Sequence, residues 1–164
     1  MRSMPRKVRR RRTAGELTVE QTHDLPAVEA ILGPAGVAVA DRRESAACFL
    51  MARIGDDPAG VAMLEVSVDA GLMRVLFVTE SMRRRGAGAA LIAALRIAAR
   101  TRGARMLYAL VPPAACGYLA RYGFAETSMA EALRELEDIS TGPDDGPQCT
   151  ALRLDISHDG IIER

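Results

Sequence analysis

The chain has 164 residues, of which 49% are hydrophobic and 26% charged, with a formal net charge of +1 and no tryptophan. That length and balance fit one globular domain with a real core, built mainly from Leu, Val, Ala, Ile and Met. They exclude a membrane span, because no apolar run approaches the roughly 18–20 residues that a bilayer requires. Cys48, Cys116 and Cys149 are odd in number, far apart and in no C-x-x-C pair, which argues against a disulfide framework or a zinc site and for small free thiols.

The charge is unevenly placed. Residues 1–12, MRSMPRKVRRRR, hold seven of the 22 basic residues and no acid, leaving 15 basic against 21 acidic residues, about −6, for the remainder. A like-charge block of this density is expected to be a solvated, disordered tail, here residues 1–15. It could touch an acidic partner, or be an untrimmed leader, since Met4 could also serve as a start. The acidic body argues against a nucleic-acid binder. The basic start lacks the apolar stretch of a secretory signal, and the expected location is cytoplasmic.

Taken in chain order, ELTVEQT (16–22) alternates like a strand. Asp24 caps a helix with Pro26 in its first turn, and Gly33-Pro34 ends it. Residues 35–46 look irregular. ACFLMARI (47–54), VAMLEVSV (61–68) and LMRVLFVT (72–79) read as three strands joined by turns at 55–60 and 69–71, an antiparallel meander. AGAALIAALRIAARTRG is helical by composition, with Gly103 as its C-cap. ARMLYALV (104–111) reads as a strand buried on both faces, completing a right-handed β-α-β unit. PPAACGYLARYGF (112–124) holds a short helix ending at Tyr122-Gly123, and MAEALREL (129–136) another. STGPDDGPQ (140–148) is a polar loop, CTALRLDI (149–156) the closing strand, and 157–164 a tail. The domain, residues 16–156, is therefore α+β, with a mixed, mostly antiparallel sheet and one parallel crossover in its middle.

The sharpest motif is RRRGAGAAL (83–91), where three arginines run into two glycines at the junction of a strand and a long helix. A helix N-terminus offers unpaired N–H groups and about half a positive charge. Glycine lets that backbone approach a ligand closely, and the arginines add charge that phosphate oxygens can use. A P-loop is excluded because no Lys-Ser/Thr follows Gly88, and a dinucleotide fingerprint because G-x-G-x-x-G is incomplete.

VTESMRRRGAGAALIAAL (78–95) resembles the acetyl-CoA pyrophosphate loop of the GNAT N-acetyltransferases, [QR]-x-x-G-x-[GA], with Arg83, Gly86 and Gly88 at the signature positions. YLARYGF (118–124) is similar to the family's second landmark, a short helix ending in Gly-Phe. Residues 60–78 and 105–124 resemble the branch containing arsenic-resistance N-acetyltransferases and N-acetylglutamate-synthase-like proteins. Glu65 and Arg74 match that branch, whereas Val75 and Val111-Pro112-Pro113 depart from it.

The resemblance implies a GNAT-type acyl-CoA N-acyltransferase fold that binds acetyl-CoA and acetylates an amine. It implies cofactor contacts from Phe77 and Val78 through their backbone, and from Arg83, Arg84, Arg85, Gly86, Ala87, Gly88 and Ala89. Glu65 is the candidate acid in the central sheet. Arg74, with Glu65 beside it, could grip a substrate carboxylate, or the two could form a structural cross-strand ion pair. The family's usual tyrosine position falls on Leu119. Tyr118, one residue away and expected to point elsewhere on the helix, is the candidate catalytic phenol, with Tyr108 another. His23 and His158 lie near the ends of the domain, away from the chemistry. No metal is implied, and a homodimer is compatible with the sequence.

The sequence supports three functions, in this order: acetyl transfer to a small-molecule amine, an amino acid or an analogue; transfer to a protein or drug amine; and acyl-CoA or partner binding without turnover.

Overall fold

The computed structural model describes residues 15–37, 47–139 and 148–158. The arginine-rich stretch 1–12 and the polar loop over 140–147 lie outside the described residues, as do residues 38–46 and 159–164. Among the described residues, seven strands and four α-helices run in order as β1 Leu17–Thr22, α1 Leu25–Leu32, β2 Cys48–Ile54, β3 Asp57–Ser67, β4 Ala70–Val78, α2 Ala87–Thr101, β5 Met106–Val111, α3 Pro113–Ala120, β6 Ala125–Glu126, α4 Met129–Glu135 and β7 Thr150–Asp155.

Local chemistry sets the boundaries. Asp24 Oδ1 accepts from the Ala27 amide at 3.2 Å to start α1, with proline in the first turn where no N–H is needed. Gly103 follows the last turn of α2 with φ +94°, the left-handed conformation that ends helices. The residues 55–60, read from the sequence as one turn, are only partly so. Gly55 and Asp56 make the turn, and β3 starts at Asp57. Pro58 is accommodated because the register shifts beside it, from Ala52↔Gly60 to Arg53↔Pro58, and an irregularity of this kind tolerates a proline in a strand.

One sheet holds all seven strands in the order β1-β2-β3-β4-β5-β7-β6. Only the β4–β5 pair is parallel, because only there does a helix, α2, cross over between neighbours. The alternation of side chains sorts the core by face. Leu50, Ala52, Leu64, Leu107 and Leu152 meet Leu91, Leu95 and Ala99 of α2 and Leu119 of α3 in the main cluster. On the opposite face, Phe49, Met51, Val61 and Met63 pack under α1. Beside them, Leu72, Tyr108 and Ala151 pack under α4 with Ala132 and Leu136.

Two irregularities shape the centre of the sheet. Met63 faces Val75 but Leu64 faces Met73, so Arg74 is an extra residue in β4, a bulge. Bulges bend the strand that carries them. The parallel ladder to β5 has three residue pairs, the last being Leu72↔Tyr108. From Met73 to Val78, β4 pairs with β3 alone, while Ala109 to Val111 of β5 pair with β7. The two central strands thus diverge into a cleft that opens toward the start of α2.

Gly60 holds the far end of this cleft together. A Cβ there would lie 2.5 Å from the Phe77 carbonyl oxygen, 3.1 Å from Leu91 Cδ1 and 3.3 Å from Val78 Cα. Two of those neighbours are backbone and cannot step aside cheaply. Gly60→Ala is therefore expected to cost about 1–3 kcal/mol, the range of core overpacking, in a urea unfolding curve. A loss under about 0.5 kcal/mol, the range of neutral surface changes, would mean that the end of β4 adapts freely.

Candidate active site

After Val78 the chain turns sharply. Thr79 anchors the exit by donating its amide (2.8 Å) and its hydroxyl (3.2 Å) to the Ala59 carbonyl. A short 3-10 turn over Glu80–Met82 comes next. Arg83 Nε donates to the Val78 carbonyl at 3.1 Å, so this arginine ties the loop to the strand it leaves. Arg84 has φ +65°, the only positive φ on a non-glycine among the described residues. A side chain in that region is strained and is held there by its surroundings. Gly86, with φ +83° and ψ 4°, caps α2.

This end of α2 is undressed. Gly86 has no side chain to cap the helix, and the first turn contains no acid. Among the described residues, none accepts a hydrogen bond from the amides of Arg84 through Ala89, while the Ala90 amide makes the first intrahelical bond, to the Gly86 carbonyl at 3.0 Å. Several donors thus share one turn with the positive end of a 15-residue helix dipole. Arg84 and Arg85 are exposed beside them. The donor set is complementary to a diphosphate.

Phe77 and Val78 form the last stretch of the β4 edge that β5 leaves unpaired. The Phe77 side chain packs toward the α1 cluster and the Val78 side chain toward the α2 face. Their backbone is the part of each that borders the cleft, although the Val78 carbonyl already accepts from Arg83.

Tyr118 is placed differently from expectation. The last turn of α3 buries Leu119 in the main core, and the 100° step between neighbours then turns Tyr118 toward α2. Its phenolic oxygen sits where a Cβ on Gly88 would be, and Val78 Cγ2 lies 3.8 Å from that same point. Tyr118 therefore stands where the β4 edge, the glycine loop and α3 converge. Tyr122, one turn on, places its hydroxyl 3.4 Å from the Tyr118 hydroxyl so that the two share a hydrogen bond, and the rings meet edge-on with centroids 5.3 Å apart. Partial burial of a side chain that is still 39% exposed, followed by the hydrogen bond with Tyr122, pushes the Tyr118 phenol up to about 12. It remains a donor at neutral pH. Tyr122 was not singled out by sequence reasoning, and its four-residue spacing from Tyr118 was the available signal.

Glu65 and Arg74 lie together on the other face of the sheet. Arg74 Nε donates to Glu65 Oε1 and Arg74 Nη2 to Glu65 Oε2, both at 3.2 Å. The side chains are 9% and 6% exposed, respectively. Glu65 is thus not a strand residue facing water, and no buried side-chain polar atom among the described residues lacks a partner. Glu65, Leu72, Tyr108 and Arg153 stand in register across four strands. Burial, then Glu135 and Glu131, raises the Tyr108 phenol, while Arg153 is held by Glu131 of α4 at 2.9 Å. The pair and Tyr108 thus border the apex where β4 and β5 part, on the face carrying α1 and α4. The glycine loop and Tyr118 belong to the opposite face.

Cys48, Cys116 and Cys149 form no disulfide with one another, and Cys48 is buried. His158 lines a shallow groove with Arg100, Arg105 and Asp155 at the far end of α2, and His23 precedes α1. No group of ligating side chains suited to a metal occurs among the described residues. No helix among them is long and apolar enough to cross a membrane.

Comparison with known proteins agrees with this geometry. A model of the acetyltransferase (GNAT) family matches residues 15–124. No curated protein matches the sequence. Among solved structures, N-acetylglutamate synthase from Neisseria gonorrhoeae, complexed with coenzyme A and N-acetyl-glutamate, superposes with a TM-score of 0.67 at 22% identity over 86% of this chain. The match spans only 35% of that longer protein. The ribosomal-protein-S18-alanine N-acetyltransferase from Escherichia coli gives 0.67 at 20% identity, covering 91% of this chain and 99% of its own. Rv2747 from Mycobacterium tuberculosis, solved in complex with CoA, gives 0.64 at 20% identity, covering 84% and 98%. At such identities the likeness is one of fold, while the family model covers two thirds of the sequence. The chain, with its parted parallel strands and glycine-opened helix, belongs to the GNAT family of acetyltransferases.

Proposed function

We propose that this enzyme transfers the acetyl group of acetyl-CoA to the amine of a small molecule, an amino acid or an analogue. The observation that carries the cofactor half is the cluster of unpartnered amides from Arg84 to Ala89 at the mouth of a cleft whose β4 edge is unpaired. The amides and the Arg84 and Arg85 guanidiniums take the diphosphate. The backbone of Phe77 and Val78 guides the pantetheine arm along the edge that β5 has vacated. Bound there, acetyl-CoA supplies an activated acyl group whose transfer makes an amide and frees a thiol.

For the chemistry, the chain must orient the acyl carbonyl, accept a proton from the amine and return one to the departing sulfur. Tyr118 is the proton donor we assign, because its phenol stays protonated and lies between α2 and the Val78 end of the β4 edge, along which the thiol-bearing arm runs. On the acceptor side, the Glu65–Arg74 pair borders the apex of the cleft. Arg74 meets Glu65 through Nε and Nη2. A substrate carboxylate is received by Arg74 with Glu65 fixing the plane of the fork, and Glu65 is the charged acceptor we assign to the amine. The second reading, a protein or drug amine that carries no carboxylate at this point, is favoured by how completely Glu65 already balances Arg74.

Thiol release with acetyl-CoA over a panel of amines tests the reaction. Gly86→Glu is expected to weaken coenzyme A binding at least a hundredfold by calorimetry, because it sets a carboxylate and a strained φ at the diphosphate site. Gly86→Asn, whose side chain tolerates positive φ, should stay within tenfold. Equal affinities for both variants would show that the diphosphate lies elsewhere.

Arg74→Lys keeps the charge beside Glu65 but loses the planar fork. The KM for an amino acid acceptor should then rise at least tenfold with the KM for acetyl-CoA unchanged. An unchanged acceptor KM would favour the second reading. The pair is also structural. Arg74→Ala leaves a buried carboxylate without its partner and is expected to cost about 3–5 kcal/mol in urea unfolding, most of it recovered when Glu65 and Arg74 are both replaced by methionine.

A further inference from the structure

We infer that Gly88 is a glycine for the sake of Tyr118, and that Gly88 and Tyr122 together form the seat that fixes the Tyr118 phenol over the first turn of α2. The second glycine of R-x-x-G-x-G has an evident reason in the sequence, close approach of a ligand to the backbone. The structure supplies another. Gly88 is an ordinary helical residue, with no positive φ that would demand glycine. What a side chain there would meet first is the Tyr118 hydroxyl, with Tyr118 Cζ 3.4 Å away. The phenol therefore occupies the volume that the missing Cβ leaves. The other side of the seat is Tyr122, whose hydroxyl bonds to that of Tyr118 and whose ring meets it edge-on. The one-residue displacement of the tyrosine along α3 and the absence of a side chain at Gly88 are then complementary.

This inference rests on Tyr118 being the proton donor only for its consequence in turnover; the seat itself is a property of the free protein. Gly88 and Tyr122 are positioning residues, acting through Tyr118. Because the atom in the way is the far end of a side chain, Gly88→Ala should displace the phenol rather than unfold the protein. Its thermal midpoint should be equal or higher, since alanine favours a helix.

The test is a cycle of Gly88→Ala, Tyr118→Phe and the double variant, with two readouts. In the free protein, ultraviolet titration of the tyrosines, with Tyr118 identified by difference against Tyr118→Phe, should show its ionisation falling from about 12 toward the ordinary value of 10 in Gly88→Ala. In turnover, Gly88→Ala should lower kcat by on the order of tenfold or more, the scale of a misplaced reacting group. It should have little further effect in the Tyr118→Phe background, where the hydroxyl that collides is gone. Tyr122→Phe should lower kcat in the same direction with KM for acetyl-CoA unchanged. An unchanged Tyr118 titration in Gly88→Ala, or an equal loss of kcat from Gly88→Ala with and without the Tyr118 hydroxyl, overturns the seat. If the titration shifts as expected while the unmodified protein releases no thiol from acetyl-CoA with any amine, the seat stands and the acetyl-transfer reading falls.

Discussion

Everything functional in this molecule depends on two parallel strands that stop pairing. Beyond Leu72↔Tyr108, β4 and β5 have each lost a neighbour on the cleft side, at a cost in backbone hydrogen bonding that an ordinary sheet would avoid. The separation has a local cause. Arg74 is one residue too many in β4, so the strand bends where the ladder ends. β5 is kept straight by β7, which pairs with it along its whole length from Met106↔Asp155 to Val111↔Thr150. One strand is free to turn away and the other is not, and a wedge-shaped opening is the only outcome.

The bulge also changes what β4 shows to each side. Before it, Ala70 and Leu72 face the α4 cluster; after it, Val75 and Phe77 face the α1 cluster while Leu76 and Val78 turn to α2. Without the extra residue, the same sequence would present its apolar side chains out of phase over half its length. Arg74 itself is left where two apolar clusters meet, and Glu65 is the one charged residue buried among the described residues. Each of these two side chains makes the burial of the other tolerable. The residue at which β4 bends away from β5 is therefore also the residue that places a charge at the apex of the cleft.

Most of the element order was legible in the sequence because it derives from alternation, composition and capping. The glycine loop was legible because arginines running into glycines at a strand–helix junction have few other uses. The bulge was not, since a one-residue phase slip depends on the partner strand. The run GDDPAG looked like one turn because aspartate, proline and glycine signal turns, yet Pro58 and Gly60 serve in β3, where Gly60 admits the Phe77 carbonyl. Leu119 and Tyr118 are one step apart on α3, and only the burial of Leu119 beside Phe124 decides which faces the cleft. The two-residue β6 carries no periodicity to detect.

The two faces of the sheet divide the work by charge. On one side, the start of α2 gathers unpartnered amides, a helix dipole and exposed arginines on a chain that is otherwise acidic beyond its first twelve residues. An anion is attracted to that turn by amides, dipole and guanidiniums together. On the other side, Glu65 and Arg74 cancel, so the apex of the cleft is polar but electrically balanced. A neutral amine is the reactive form of an acceptor, and a balanced site does not hold it in the protonated state as a bare carboxylate would. Anchoring by charge at the wide end and neutrality at the narrow end together favour a ligand that enters by its diphosphate and reacts at its thin, uncharged tip.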